Sequence, residues 1–403
     1  MVKVIIGFVL LVIIALFGYR RTFTKVHIPL GARYIYLTGT EFILVGVALG
    51  GQFIGVLDAP ALRSLTPLYS LCLGFMGLIF GIQLEFNKLK RLPWRYDLIV
   101  VIQALVTMAV VFFPCWILMK YVFGTEGHPQ VLGAFVLAAT ASCTGLTTLA
   151  LLSRDLKLRK TPFIELLQYI SSLDAIVGLV GVGIAFSLMH THSPFGSHAG
   201  AGILAVGISF AIGLTTGFLL HLITQHHCSE EELGVFIIGM VLFAAGLAEY
   251  FMLSPLFVCL VTGIVMANVK GAKDRVFYLL ARLEHPFYLI MLILAGAIWN
   301  VATPWAWVFA ALYLGLRFAG KVMGGYLAVR SVGAHIRAPG RLGLGLMSQG
   351  GMAVAMVINF NQIHPTEYSG LVVTAVLSAV IVNELISPTL IRSVLLRTGE
   401  VKP

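Results

Sequence analysis

Long apolar runs recur along this chain from one end to the other. We count thirteen that approach or exceed the roughly 20 residues with which a helix crosses a bilayer. Their approximate limits are residues 3–19, 38–57, 66–84, 98–122, 131–152, 163–189, 200–223, 233–251, 255–269, 277–299, 305–328, 342–361 and 368–391. Since 59% of the 403 residues are hydrophobic and only 11% are charged, a water-soluble fold is excluded. The sequence therefore predicts an all-α polytopic protein of the lipid bilayer.

The positions of the basic residues support this segment count and orient the chain. Of 27 Lys and Arg residues, 21 fall in alternate loops or the C-terminal tail, while Lys3, Arg63 and Lys120 fall on the opposite side. Because basic loops remain in the cytoplasm, we expect the N-terminus outside and the C-terminus in the cytoplasm, in a cell (inner) membrane. Arg20 and Arg21 follow the first run without a small-residue cleavage site, which predicts a retained helix. The net charge of +10 thus reflects topology, and no nucleic-acid partner is expected.

The loops are short, and no soluble domain is expected in addition to the membrane segments. The sequence contains no G-x-S-x-G, H-E-x-x-H or P-loop motif, so we expect neither an enzyme nor a bound cofactor. The histidine pairs His190/His192 and His226/His227 lack an acidic or cysteine partner at metal-ligand spacing. The function should therefore lie inside the membrane.

The segments suggest two inverted six-helix repeats, segments 1–6 and 8–13, joined by the seventh. The fifth segment carries ATASCTGLTT (139–148) and the twelfth carries GLGLMSQGGMA (343–353), both rich in small and polar residues. Small residues also allow close helix packing. Their matched occurrence in both halves favours two broken helices that cross in the core.

One carboxylate, Asp174, lies in the middle of the sixth segment. A charged side chain at this depth costs several kcal/mol, so it is rare without a role in an ion or proton path. The structural alternative is an aspartate that caps a helix or is fixed in a salt bridge. Carboxylate oxygens bind protons and hard cations alike, so we expect Asp174 to bind a proton and a monovalent cation in competition.

Three further ionisable residues in the apolar segments are candidates for the same site. Lys321 is the expected partner of Asp174, with snorkelling toward the lipid headgroups as the alternative. Arg317 lies one turn from Lys321 on the same helix face. Because arginine stays charged, we expect it to pair with a carboxylate or with backbone carbonyls. Glu384 is either a second buried acid or a charge partner of Arg317 or Lys321.

Oxygen atoms at the two expected helix breaks complete the candidate site. Ser142, Cys143 and Thr144 lie in the first break, and Ser348 and Gln349 lie in the second. Hydroxyl and carbonyl oxygens suit hard cations such as Na⁺, Li⁺ and K⁺. The ends of the half-helices would also carry opposed partial charges.

Taken in order, these segments resemble the cation:proton antiporter superfamily, in the branch of the NapA and KefC types and more distantly the NhaA type. The resemblance covers nearly the whole chain. It rests on FMGLIFGIQLEFNKLKR (75–91), ASCTGLTTLALLSRD (141–155), YISSLDAIVGL (169–179), GLRFAGKVMGGYL (315–327) and GLGLMSQGGMAVAMVI (343–358).

The resemblance implies a homodimer in which the core of each protomer moves like an elevator. The core helices would span about 98–223 and 305–391, and the scaffold and dimerisation helices about 3–84 and 233–299. By position, Asp174 would bind the cation and the proton in turn, and Ser171 of the same motif would belong to the ion-binding residues. Lys321 would be the basic partner, and Thr144 would belong to the crossover.

This chain departs from the family pattern in two places. Members often carry an acidic or amide residue directly before the aspartate, where this chain has Leu173. They also carry an aspartate after the threonine of the first break, where this chain has Gly145. Lys321 is left to pair with Asp174 or with Glu384. Exchange of one cation for one proton would be electroneutral, whereas an additional proton from Lys321 would make it electrogenic.

We therefore expect a secondary transporter that exchanges a monovalent cation for protons, with Na⁺ as the first candidate and Li⁺ or K⁺ as alternatives. An ion-coupled symporter for an organic solute is a second interpretation, and it would need a polar or aromatic pocket near the crossover. A potassium efflux pathway of the KefC type is a third, although that type normally carries a cytoplasmic nucleotide-binding domain.

Overall fold

The protein is helical throughout the part of the chain that the computed structural model describes. That part comprises residues 2–21, 38–90, 93–123, 128–156, 161–189, 199–225, 229–269, 273–300, 304–333, 339–365 and 367–400. Within these ranges the only β-type contact is an isolated bridge between Gly50 and Leu57. The predicted all-α class is confirmed.

The helices of the described ranges are numbered here in chain order. They are α1 (Val2–Arg21), α2 (Glu41–Leu49), α3 (Ala59–Ser64), α4 (Thr66–Gln83), α5 (Phe86–Leu89), α6 (Trp94–Phe123), α7 (His128–Ser142), α8 (Leu146–Asp155), α9 (Pro162–Leu188), α10 (Ala199–Gln225), α11 (Glu230–Tyr250), α12 (Pro255–Asn268), α13 (Lys273–Ile298), α14 (Pro304–Val332), α15 (Leu342–Gly345), α16 (Gly351–Ile363) and α17 (Glu367–Arg397). A 3-10 turn over Pro339–Arg341 leads into α15.

Nine spans in the described residues are long and apolar enough to cross a membrane, with α7 and α8 together forming one of them. Three shorter apolar helices occupy Lys3–Ala15, Pro255–Asn268 and Gly351–Ile363. These twelve elements coincide with twelve of the thirteen predicted segments, so the predicted multi-span architecture is confirmed.

The remaining predicted segment, 38–57, is helical over only nine residues, Glu41–Leu49. Gly50 and Gly51 follow the helix, and Gly55 has a φ of +72°, a left-handed conformation that favours glycine and ends helical geometry. Apolar composition predicted a continuous helix here, and the glycines explain why the chain turns instead.

Backbone contacts divide the chain into two compact units. The first contains Met1–Arg21, Val45–Arg91 and Val180–Ile298. Its centre is the close packing of α4 against α12. A Cβ atom on Gly81 of α4 would overlap the backbone carbonyl oxygen of Leu260, so the absence of a side chain is what allows the two helices to approach.

Replacing Gly81 by Ala is therefore expected to destabilise the protein by about 1–3 kcal/mol through overpacking. Thermal unfolding of the detergent-solubilised protein would measure the loss. Gly239→Ala in α11 is the matched control, because a Cβ atom there meets nothing within 4 Å. Equal unfolding midpoints for the two variants would contradict this account of the α4–α12 packing.

The second unit contains Thr22–Leu44, Leu92–Leu179 and Trp299–Pro403. Within it α14 packs on α6, where the Thr107 hydroxyl donates to the Gly320 carbonyl at 3.1 Å. The segment 200–223, which the resemblance assigns to the core, forms most of α10, and α10 packs on α12 within the first unit.

Candidate ion-binding site

Two helices of the second unit are interrupted, and their interruptions touch. α7 ends at Ser142 and α8 begins at Leu146, while α15 ends at Gly345 and α16 begins at Gly351. The Gly145 N–H donates to the Ser348 carbonyl at 3.1 Å, and the Ser348 hydroxyl donates to the Gly145 carbonyl at 2.5 Å. The two helix breaks predicted from small and polar residues are thus present and cross at this point.

Glycine at position 145 is explained by the close approach of the two backbones at this crossing. A Cβ atom on Gly145 would lie 3.0 Å from the Gly350 backbone nitrogen, which is closer than side-chain carbons normally approach backbone atoms. At this position, where the resemblance to the antiporter superfamily leads to the expectation of an aspartate, the chain carries glycine, whose lack of a Cβ atom lets the two backbones meet.

Arg317 of α14 binds the carbonyl-rich ends of the half-helices. Its guanidinium donates to the carbonyls of Met347 at 2.8 Å, Cys143 at 3.0 Å and Ser348 at 3.0 Å. Helix C-termini carry partial negative charge, so a permanently charged side chain stabilises both of them at once. Of the two partners considered from the sequence, Arg317 takes backbone carbonyls.

Asp174 of α9 is completely buried and contacts both the first break and α14. Its Oδ1 accepts the Thr144 N–H at 3.0 Å, and its Oδ2 accepts a short hydrogen bond from the Thr144 hydroxyl. Lys321 lies 2.9 Å from Oδ2 and is also fully buried. The structure therefore pairs Lys321 with Asp174 and places the pair at the helix break.

All three donor positions of the Lys321 ammonium are used. Besides Asp174, its Nζ donates to the Ser142 carbonyl at 2.5 Å and to the Thr144 hydroxyl oxygen at 2.7 Å. An ammonium group has three hydrogens to donate, so this geometry fits the charged form of lysine. Snorkelling, the alternative considered from the sequence, does not occur.

The remaining residues predicted near Asp174 contribute in different ways. The Ser142 hydroxyl and the Cys143 thiol turn back to the Ala139 carbonyl, at 2.8 and 3.3 Å, so only their backbone carbonyls face Lys321 and Arg317. Ser171 lies three residues before Asp174, on the same helix face. Its hydroxyl is buried and has no hydrogen-bond partner in the part of the chain that the structure describes, so its oxygen is unused there.

The side-chain amide of Gln349 connects the second break to α7, α14 and α17 through hydrogen bonds. Its Nε2 donates to the Thr140 carbonyl and to the Tyr313 hydroxyl, both at 3.1 Å, and its Oε1 accepts from Asn383 at 3.0 Å. The Thr140 and Tyr313 hydroxyls lie 3.0 Å apart. Sequence reasoning missed Tyr313, although its spacing of four residues from Arg317 places it on the face that carries the site.

Glu384 of α17 bonds a threonine and forms no ion pair with either cation among the described residues. Its Oε2 accepts a hydrogen bond from the Thr148 hydroxyl at 3.0 Å. The ion pairs of the described residues include none between Glu384 and either Arg317 or Lys321. Of the two alternatives considered from the sequence, a second buried acid describes Glu384 better than an ion pair does, although the charge of Arg317 acts on it.

The structure describes no group of three or more His, Cys, Asp and Glu side chains placed to bind a metal ion. The His226/His227 pair and the His190/His192 pair lie outside the described residues, as do several of the basic loop residues used to orient the chain.

A multi-span helical protein in which two broken helices cross beside a buried ion pair has the architecture of a secondary transporter. The family of sodium/hydrogen exchangers, transmembrane, matches residues 5–394 of the chain. The chain therefore belongs to the sodium/hydrogen exchanger family, whose members are cation/proton antiporters and not enzymes.

Two individual proteins illustrate the relationship. The Na(+)/H(+) antiporter NhaS4 of Synechocystis is 24% identical over 369 residues, which cover 85% of this chain and 88% of that protein. The sodium proton antiporter MjNhaP1 of Methanocaldococcus jannaschii has a similar fold, with a TM-score of 0.67 over 92% of this chain and 96% of that one. At 14% identity, this second likeness concerns the fold alone.

Proposed function

We propose that this protein exchanges cytoplasmic Na⁺ for external protons, and that Asp174 binds both ions in turn. Li⁺ or K⁺ is the alternative cation. The observation that carries the proposal is the fully buried ion pair of Asp174 and Lys321 at the crossing of two broken helices. A buried pair is expensive to maintain and is weak evidence for a stabilising role. Its position at a helix break within the membrane supports a role in ion transport.

The arrangement suggests how a cation and a proton exclude each other. An arriving Na⁺ competes with the Lys321 ammonium for the Asp174 carboxylate. Once Lys321 is displaced, the Asp174 oxygens, the Thr144 hydroxyl, the unpaired Ser171 hydroxyl and the Ser142 carbonyl become available as ligands for a hard cation. Loss of one proton from the pair as one Na⁺ binds leaves the local charge unchanged.

Charge balance would enforce the exchange. A site that is neutral with either ion bound can cross a low-dielectric barrier, whereas an empty carboxylate carries an uncompensated charge that is costly to bury. Arg317 would keep the half-helix ends in place throughout, because its three carbonyl bonds do not depend on the ion bound at Asp174.

We further propose that the second compact unit is the ion-binding core and moves like an elevator as it carries the site, while the first unit acts as a scaffold. The hydrogen-bond partners of Asp174 and Lys321 among the described residues belong to the second unit, which supports movement of the site as one body. A homodimer in the inner membrane, with the N-terminus outside and the C-terminus in the cytoplasm, completes the proposal. The distribution of Lys and Arg supports that orientation.

Competition at one carboxylate predicts a specific pH dependence. Where protons occupy the site, the apparent KM for Na⁺ should fall by up to tenfold for each unit of rising pH, with little change in the maximal rate, because each proton removed frees a cation site. Exchange rates in proteoliposomes, measured over a series of Na⁺ concentrations at several equal internal and external pH values, would test this. A KM independent of pH, with only the maximal rate changing, would argue against a shared site.

A further inference from the structure

We propose that Glu384 is a second proton-binding site, and that the first helix break couples it to Asp174. Proton binding at Glu384 would be a property of this carboxyl alone. The coupling rests on the proposed function, because it requires a cation at Asp174.

Glu384 is a buried carboxyl that forms no ion pair with another described residue, although the positive charge of Arg317 acts on it. Its side chain is 3% exposed, one of its oxygens accepts the Thr148 hydroxyl at 3.0 Å, and the Gln349 backbone N–H is a further donor to the carboxyl. In the described part of the chain no cation lies within ion-pair distance of it. An ionised carboxylate in such surroundings is costly, and binding a proton removes the cost.

The titratable groups around Glu384 make their hydrogen bonds elsewhere, although Arg317 also acts on Glu384 through its charge. Among the helices that pack on α17, α14 brings the buried side chains Tyr313, Arg317 and Lys321, whereas α15 and α16 carry no titratable residue. Tyr313 bonds Gln349, Arg317 bonds three carbonyls and Lys321 bonds Asp174. The side chains of His128 on α7 and of Arg154 and Asp155 on α8 lie outside the described residues.

The hydrogen-bonding capacity next to Glu384 fits a protonated carboxyl. Ser387 is three residues further along α17, on the same helix face, and its hydroxyl is completely buried without a hydrogen-bond partner among the described residues. Pro388 has no N–H, so the backbone carbonyl of Glu384, four residues before it, lacks its usual donor within the helix. A protonated carboxyl is a donor that needs an acceptor, and the Ser387 hydroxyl is an unused acceptor on that face.

The two carboxyls are connected through two threonines of the same interrupted helix. Thr144 bonds Asp174, and Thr148, one helical turn later, bonds Glu384. When Na⁺ binds Asp174 while Lys321 keeps its proton, the site gains one positive charge, which favours the ionised form of Glu384. The O–H bond of Glu384 then breaks, its proton leaves to water, and the carboxylate remains to balance the added charge.

The proton site can be tested without Na⁺. In choline buffer, infrared spectroscopy of the wild type should reveal a protonated carboxylic acid band that disappears as the pH is raised. The band should be missing in Glu384→Gln and shifted in Glu384→Asp. A titrating band that is unchanged in Glu384→Gln and Glu384→Asp, or no titrating band at all, would overturn the proposal.

The coupling is tested by counting protons released as Na⁺ is added to unbuffered purified protein. Below the pH at which the infrared band disappears, Glu384→Gln should release up to one proton fewer per bound Na⁺ than the wild type. Equal release would overturn the coupling. Failure of the wild type to bind Na⁺, with a titrating Glu384 band still present, would refute the proposed transport function and leave the second proton site standing.

Discussion

Asp174→Asn is expected to remove the stabilisation that Na⁺ gives to the folded protein, and with it exchange activity. A ligand present at about 100 times its Kd stabilises the state that binds it by about 2.7 kcal/mol, which should appear in the wild type as a higher unfolding temperature in NaCl than in choline chloride. The asparagine keeps an oxygen acceptor for the Thr144 N–H but carries no charge to attract a cation. The shift between the two salts should therefore vanish.

The fold should survive this substitution, because asparagine nearly matches aspartate in volume and Lys321 can release its proton. Asp58→Asn is the matched control. Asp58 is a partly exposed residue that pairs with Lys3 at 3.2 Å and lies outside the buried site, so this variant should keep the full Na⁺ effect. Retention of the full Na⁺ stabilisation in Asp174→Asn, with the control behaving as the wild type, would contradict the assignment of the ion site.

Lys321→Met is expected to be the most destabilising single change in the site. It leaves Asp174 buried without its cation, and breaking one side of a buried pair costs about 3–5 kcal/mol. Because Asp174 then lacks a countercharge, Na⁺ or acidic pH should restore part of the lost stability, and the Na⁺ effect should exceed that in the wild type. Thermal unfolding in choline and in sodium salts, at acidic and alkaline pH, would measure both effects.

The double variant Asp174→Asn, Lys321→Met separates charge from packing. If the cost of Lys321→Met comes from the uncompensated carboxylate, the double variant should recover most of the lost stability and still fail to exchange ions. A double variant as unstable as Lys321→Met alone would indicate that the lysine stem stabilises the site by packing, and that the pair is not its main contribution.

The sequence was sufficient for the parts of the fold that depend on composition. The lengths of the apolar runs predicted the membrane spans. The two helix breaks were predicted because ATASCTGLTT and GLGLMSQGGMA are rich in small and polar residues, where a lipid-facing helix would carry leucine. Length alone failed at 38–57, where glycine conformations around Gly50 and Gly55 end the helix after Leu49. The length of an apolar run predicts that a segment is buried, but it does not predict where the backbone turns.

The central ion pair was predictable for a similar reason. Charged residues are rare in membrane segments, so Asp174 and Lys321 had few alternative partners and could be paired from the sequence. The partners of Arg317 were left open, because backbone carbonyls have no sequence signature. Asn383 was missed, since neutral polar residues occur in many helices and become informative only when their hydrogen bonds are known.

The most direct test of the central claim, that Asp174 carries cation and proton in turn, uses the wild type and Asp174→Asn reconstituted in liposomes with a pH-sensitive dye inside. After a proton gradient is imposed, Na⁺, Li⁺, K⁺ and choline are added in turn. The account predicts that Na⁺, or Li⁺ in its place, collapses the gradient in the wild type only and that choline has no effect. Collapse by Na⁺ in Asp174→Asn at the wild-type rate, or no response of the wild type to any cation, would contradict it.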